Sequence, residues 1–233
     1  MKNFIKIIKR FLVVCLIPTT MLTGCNIFGL DVQESFKYDN EAGVKSNELN
    51  CTVWEFLTER RADFRILMEG IEYVGMENMY NESDATYILL RNNCFTNTSI
   101  NSSNGGPGFF TRNRLTNNDG IVYTPTTLRD YPKEQVRQLL LYHIVKGAWT
   151  WSNLPAGPTW YPTYAEGETA FMNLYLSKTS PPNIRFNDFV GHYVTGSQAI
   201  ARTTNLKAIS GAYIHVIENK YMEQPTLEVL SLK

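Results

Sequence analysis

Near its C-terminus the chain carries Thr203-Thr204-Asn205-Leu206-Lys207-Ala208-Ile209-Ser210-Gly211-Ala212-Tyr213-Ile214-His215-Val216-Ile217-Glu218. It reads as a strand, a glycine turn and a second strand whose side chains alternate between two faces. An isolated hairpin is marginal in water, so this one constrains the rest of the chain to build a surface beneath it. The best candidate for that surface is Leu139-Leu140-Leu141-Tyr142-His143-Ile144-Val145-Lys146-Gly147. There Val136, Leu139, Leu140 and His143 share one helical face at i, i+3, i+4 and i+7. Pro132 suits the first turn, where its missing N–H is not needed, and Gly147 is expected to close the helix.

The front of the chain has a different character. Lys2, Lys6, Lys9 and Arg10 precede an apolar run, and the segment ends Leu22-Thr23-Gly24-Cys25. That order is a secretory signal peptide over residues 1–24, too short and wrongly flanked for a permanent membrane helix. Its ending resembles the bacterial lipoprotein box. The resemblance implies that Cys25 becomes the first mature residue and carries acyl chains such as palmitate. Each buried CH₂ contributes about 0.8 kcal/mol, so two or more chains hold a protein stably on a membrane without spanning it. Residues 25–50 are polar and acidic and are expected to form a tether, with a root-mean-square span of about 25–30 Å.

Charge and cysteines agree with that address. The whole chain has 22 Lys/Arg and 22 Asp/Glu. Removing the leader takes four bases and no acid, so the mature chain is net acidic by about 4. A basic footprint is missing, and nucleic acid is therefore not an expected partner. Cys51 and Cys94 remain in a compartment where a disulfide could persist; two separate buried thiols are equally compatible with their apolar flanks.

Order is expected from Thr52, where Thr52-Val53-Trp54-Glu55 has capping-box form. A second helix start follows at Asp63, with Phe64, Leu67, Met68 and Ile71 at helical spacing, and Gly75 lies where it should stop. Thr86 to Leu90 is a strand. Asn97 to Gly108 is a polar, glycine-rich loop unable to bury much surface. After the helix come expected strands at 169–176, 183–186, 189–194 and 198–202.

The helix run ending Tyr142-His143-Ile144-Val145-Lys146-Gly147 and the final Asn205 to Glu218 segment together resemble the fasciclin domain family. The Leu-Leu-x-Tyr-His-Ile-Val-x-Gly match is close. In the final motif Ser210 stands where the family has Asn, and Glu218 where it has Asp. A third motif is degraded: Leu90-Arg91-Asn92-Asn93-Cys94-Phe95 keeps the Asn and Phe but lacks the family's proline and alanine. The resemblance spans residues 51–225, leaving 226–233 as a C-terminal tail. It implies an α+β fold, a wedge of two packed antiparallel β-sheets with several α-helices. Helices first and strands later fit that class independently.

Chemistry is sparse. His143, His192 and His215 are three in number, a possible zinc set, but His143 and His215 occupy motif positions that read as buried, hydrogen-bonded imidazoles. Tyr142, His143, Asn205, Gly211 and His215 are accordingly taken as mainly structural, and no metal or cofactor is expected. In some fasciclin domains the Tyr-His pair is linked to adhesion-receptor binding. No Gly-x-Ser-x-Gly elbow, P-loop or His-Glu-x-x-His is present. Glu166, Glu168, Asp188 and Glu218 do not define a glycosidase pair without a known separation. No catalytic residue is assigned.

The best functional candidate is the stretch from Trp149 to Tyr164, with three tryptophans, two tyrosines and three prolines in 16 residues. Trp149, Trp151, Trp160, Tyr161 and Tyr164 either fold inward as a lid over a sheet edge or form a contact patch, since such rings favour interfaces. The expectation is a non-catalytic lipoprotein of the cell outer membrane with a protein or glycan partner. Such lipoproteins in Bacteroidetes-type bacteria accompany SusC/SusD-like uptake systems, so an accessory surface subunit is the sharper expectation. A cell-surface adhesin and, more remotely, a polymer hydrolase are the alternatives.

Overall fold

The computed structural model describes residues 47–99, 106–178, 182–189 and 199–231. The leader, Cys25, most of the tether, His192 and all but the first residue of the strand expected at 189–194 lie outside them. The described residues fall within one unit, Ser46–Lys233.

Helix α1 (Val53–Glu59) starts on the capping box read from the sequence. Thr52 Oγ1 accepts from the Glu55 amide at 3.2 Å, and the Glu55 carboxylate accepts from the Thr52 amide at 2.8 Å. Two of the orphan N–H groups of the first turn are thereby satisfied. Helix α2 (Arg61–Val74) ends at Gly75, whose φ of 70° supplies the left-handed cap. The helix is kinked at Phe64, and the kink has a partner. Asn92 Oδ1 accepts from the Ile66 amide at 3.1 Å, and Asn92 Nδ2 donates to Ala62 O at 2.7 Å. The asparagine retained in the degraded motif thus takes over backbone groups that the kink exposes.

Strand β1 (Ala85–Leu90) follows, buried at every position. That pattern marks a strand covered on both faces. Short helices α3 (Asn93–Thr96) and α4 (Phe109–Arg112) carry Phe95, Phe109 and Phe110 into the core. A two-stranded hairpin, β2 (Leu115–Thr116) with β3 (Val122–Tyr123), was not legible in the sequence. Helix α5 (Lys133–Tyr142) comes next, with Pro132 at its N-cap. The helix ends at Tyr142, and His143 is its C-cap. The expectation that Gly147 closes the helix is corrected here: Ile144–Lys146 is strand β4, and Gly147, at φ 94°, ends that strand. β-branched Ile144 and Val145 favour the pleated sheet over another helical turn.

The remaining strands are β5 (Thr159–Pro162), β6 (Phe171–Ser177), β7 (Asn183–Phe186), β8 (Ala199–Lys207) and β9 (Tyr213–Ile217), followed by helix α6 (Leu227–Ser231). The two segments read as a strand at 198–202 and a hairpin arm from Thr203 are one strand, β8, with register shifts at Thr203. Gly211, at φ 90°, makes the turn into β9, a conformation that costs other residues a Cβ clash.

The class is mixed α and β, as expected, but the sheet arrangement differs. Seven strands form one sheet in the order β4-β1-β9-β8-β7-β6-β5. β1 and β9 run parallel; the other neighbours are antiparallel. The two ends approach: Val145 bridges Thr163, and the Tyr164 amide donates to Ile144 O at 2.9 Å. One sheet curled almost into a barrel therefore replaces the expected two packed sheets. Curling of this kind leaves few unpaired edges. Asn47 to Leu49, assigned to the tether, in fact lie along β8: Leu49 N donates to Lys207 O and Lys207 N to Asn47 O, both at 2.8 Å.

Candidate functional site

Asn205, His215 and the start of the aromatic stretch meet at the connection between β4 and β5. His215 is fully buried on β9. Its Nδ1 accepts from the Asn205 amide at 3.3 Å, so its Nε2 carries the proton and donates to Trp149 O at 3.0 Å. Asn205 itself has φ 58°, and its Oδ1 accepts from the Trp151 amide at 3.1 Å. Two motif residues on the terminal hairpin thus clamp the start of the aromatic stretch. Burial lowers the His215 pKa to about 4, against which the Trp149 carbonyl contact acts weakly. The clamp is a neutral imidazole.

The stretch is braced further by Thr86 of β1 and by its own side chains. Trp149 N donates to Thr86 Oγ1 at 2.8 Å, and Trp149 Nε1 to Lys146 O at 2.8 Å. Asn153 Oδ1 accepts from the Thr150 amide at 2.6 Å, while its Nδ2 donates to Ala148 O at 2.6 Å. Trp151 sits at the tip of this turn and is 38% exposed. The other four rings are less open. Tyr161 is buried, and Trp149 packs on it with centroids 4.0 Å apart. Trp160 meets Phe189 at 5.1 Å, and Lys146 Nζ lies 5.5 Å from the Tyr164 ring centroid. Trp149, Trp160 and Tyr164 are half-buried. Trp151 has no ring or cation partner among the described residues.

Tyr142 and His143 are placed differently. Both are buried. Tyr142 OH accepts from Asn187 Nδ2 at 2.8 Å and lies 3.3 Å from both Phe171 O and Glu223 O. It ties α5 to β6 and to the chain beyond β9. His143 Nδ1 donates to Leu139 O at 2.8 Å, and the His143 carbonyl accepts from the Ile88 amide at 2.9 Å. Its Nε2 is buried without a partner among the described residues. Burial lowers the His143 pKa to about 4, so this imidazole is also neutral. Neither side chain presents a polar group to a receptor.

Among the described residues no group of three His, Cys, Asp or Glu could hold a metal ion, and no helix is long and apolar enough to cross a membrane. Cys51 and Cys94 are free thiols, and burial pushes the Cys94 thiol up to about 12. Glu218 is engaged by Arg91 and Arg202, and Asp188 accepts from Tyr175 OH. Sequence reading missed Thr86 and Asn153 as supports of the aromatic turn. A polar Thr inside an otherwise apolar strand was the one available signal for the first of them.

No family model matches this chain, and no curated protein does. Among solved structures, similarity is found to one described as a FAS1 domain pair from the insect cell adhesion molecule fasciclin I. The identity is 12%, the match covers 74% of this chain and 51% of that one, and the TM-score is 0.47. The chain spans about half the length of that structure.

Proposed function

We propose that this chain is a non-catalytic binding module: a fasciclin-like domain carried on a bacterial outer-membrane lipoprotein, anchored through Cys25, that meets a protein partner through the turn bearing Trp151. The observation that carries the reading is the bracing of that turn. The backbone on either side of the exposed indole is held by a buried histidine, an asparagine and a threonine, so contact costs little further backbone ordering, which is how pre-organised anchors gain affinity. The clustering of the three motif segments around β1, β4 and β9 supports the fasciclin-like assignment independently of any overall comparison.

The partner proposed is the large β-barrel of a SusC/SusD-like uptake system, with this chain as a surface accessory subunit. Support for an envelope partner comes from the lipoprotein-box resemblance, and the choice of this uptake system rests on family association alone. Crosslinking in intact membranes, followed by purification of the full chain and of its Trp151→Ala variant, tests it. A β-barrel protein captured by the first and lost from the second is the expected result. Capture unaltered by the substitution rejects the aromatic turn as the contact, and labelling that fails to place acyl chains on Cys25 rejects the anchor.

A further inference from the structure

A cavity of about 320 Å³ opens between helices α1 and α2 on one side and strands β8 and β9 on the other. Its floor is apolar, with Phe56, Leu206 and Val216 contributing. Its charged lining is unbalanced: Arg60, Arg91 and Arg202 against Asp63 alone. Glu218, outside the lining, has each oxygen taken by one of these arginines, Oε1 by Arg91 at 2.7 Å and Oε2 by Arg202. Arg91 spends its other terminal nitrogen on Asp63. It is therefore a fixed strut. Arg202 gives only one nitrogen to Glu218, and a guanidinium has five N–H donors. Arg60 lies over the Phe56 ring at 4.3 Å and makes a loose 3.5 Å contact with exposed Glu59.

The cavity sits where β8 loses register. Shifts between Ala201 and Thr203, and between Thr203 and Leu206, open the ladder beside it. Such irregularities recur beside binding sites because they re-aim side chains. The volume is at the lower end of small-molecule sites, which combine an apolar lining with a few convergent polar groups.

From this combination we infer that the cavity is a binding site for a small organic anion: an apolar body on the Phe56–Leu206 floor and one carboxylate or sulfonate between Arg60 and Arg202. The planar guanidinium fork matches such a group in two parallel hydrogen bonds. This site is separate from the aromatic turn and does not depend on the proposed partner.

Fluorescence titration of the full chain with anilinonaphthalene sulfonate tests the inference, with the uncharged phenylnaphthylamine as control. Saturable binding of the sulfonate is expected, abolished by Thr203→Trp, which fills the cavity. An Arg60→Gln, Arg202→Gln double variant should bind about a hundredfold more weakly, the effect of losing one charge-assisted hydrogen bond from each arginine. It should bind phenylnaphthylamine as the native chain does. Absence of saturable binding, or equal affinity in the double variant, overturns the site. If the variants do not fold, side-chain resonances of the native chain decide. Shifts confined to Phe56, Leu206 and Val216 on adding the sulfonate support it; shifts elsewhere, or none, do not.

Discussion

His143 and His215 hold their positions by different means, and acid separates them from the solvent-exposed ionisable groups. Both are buried, and burial lowers each pKa from 6.5 to about 4. A group with a depressed basic pKa binds fewer protons folded than unfolded between those values. Stability contributed by the neutral form is therefore present above pH 6.5 and is lost as pH falls towards 4. The two together should make chemical denaturation midpoints fall steeply over that window, by on the order of 3 kcal/mol per histidine. A flat profile would remove both from the core. His143→Ala should lower the melting temperature, at a cost of about 2 kcal/mol or more, before any binding changes. His215→Ala should do so too and in addition alter Trp151 fluorescence, because it leaves Asn205 N–H and Trp149 C=O without their partner.

The kinked helix α2 shows how an element depends on one distant side chain. Asn92 serves Ile66 N–H and Ala62 C=O from the end of β1. Asn92→Ala leaves the Ile66 amide unsatisfied in a half-buried place, a cost of about 1–3 kcal/mol. Asn92→Asp keeps the acceptor and should recover part of it; equal losses in urea melts would show that the amide bond does not matter. Sequence periodicity located α1, α2 and α5 because their apolar stripes repeat at the helical spacing. It missed the β2–β3 hairpin because its strands are two residues each and its side chains Ile121, Val122 and Tyr123 are exposed, so no buried face imposes alternation on the residues.

The nearly closed sheet is a property of the whole molecule. Its seam rests on one isolated bridge, Val145 with Thr163, and the Tyr164–Ile144 bond. Strand β1, by contrast, is buried at every position and is paired to β4 over Ala85–Tyr87 and to β9 over Thr86–Leu90. Local opening follows the weakest ladder, so the Tyr164 amide should exchange with deuterium well before the Ile88 amide. Equal protection would mean that the seam is as strong as the β1 ladders. Opening there frees the segment that carries the aromatic turn, which couples the dynamics of the seam to the contact proposed for Trp151.

By itself the sequence determined the capping of α1, the left-handed turns at Gly75 and Gly211, and the motif residues that enter the core. Each of these is set by neighbours within a few positions, through spacing, capping or backbone freedom. Only the tertiary structure decided that β9 runs parallel to β1, that β8 is one strand broken in register, that His215 reaches Trp149, and that three arginines face one cavity. Those outcomes depend on pairing between residues tens of positions apart. Nothing in local periodicity encodes which strand edges or which charges will meet.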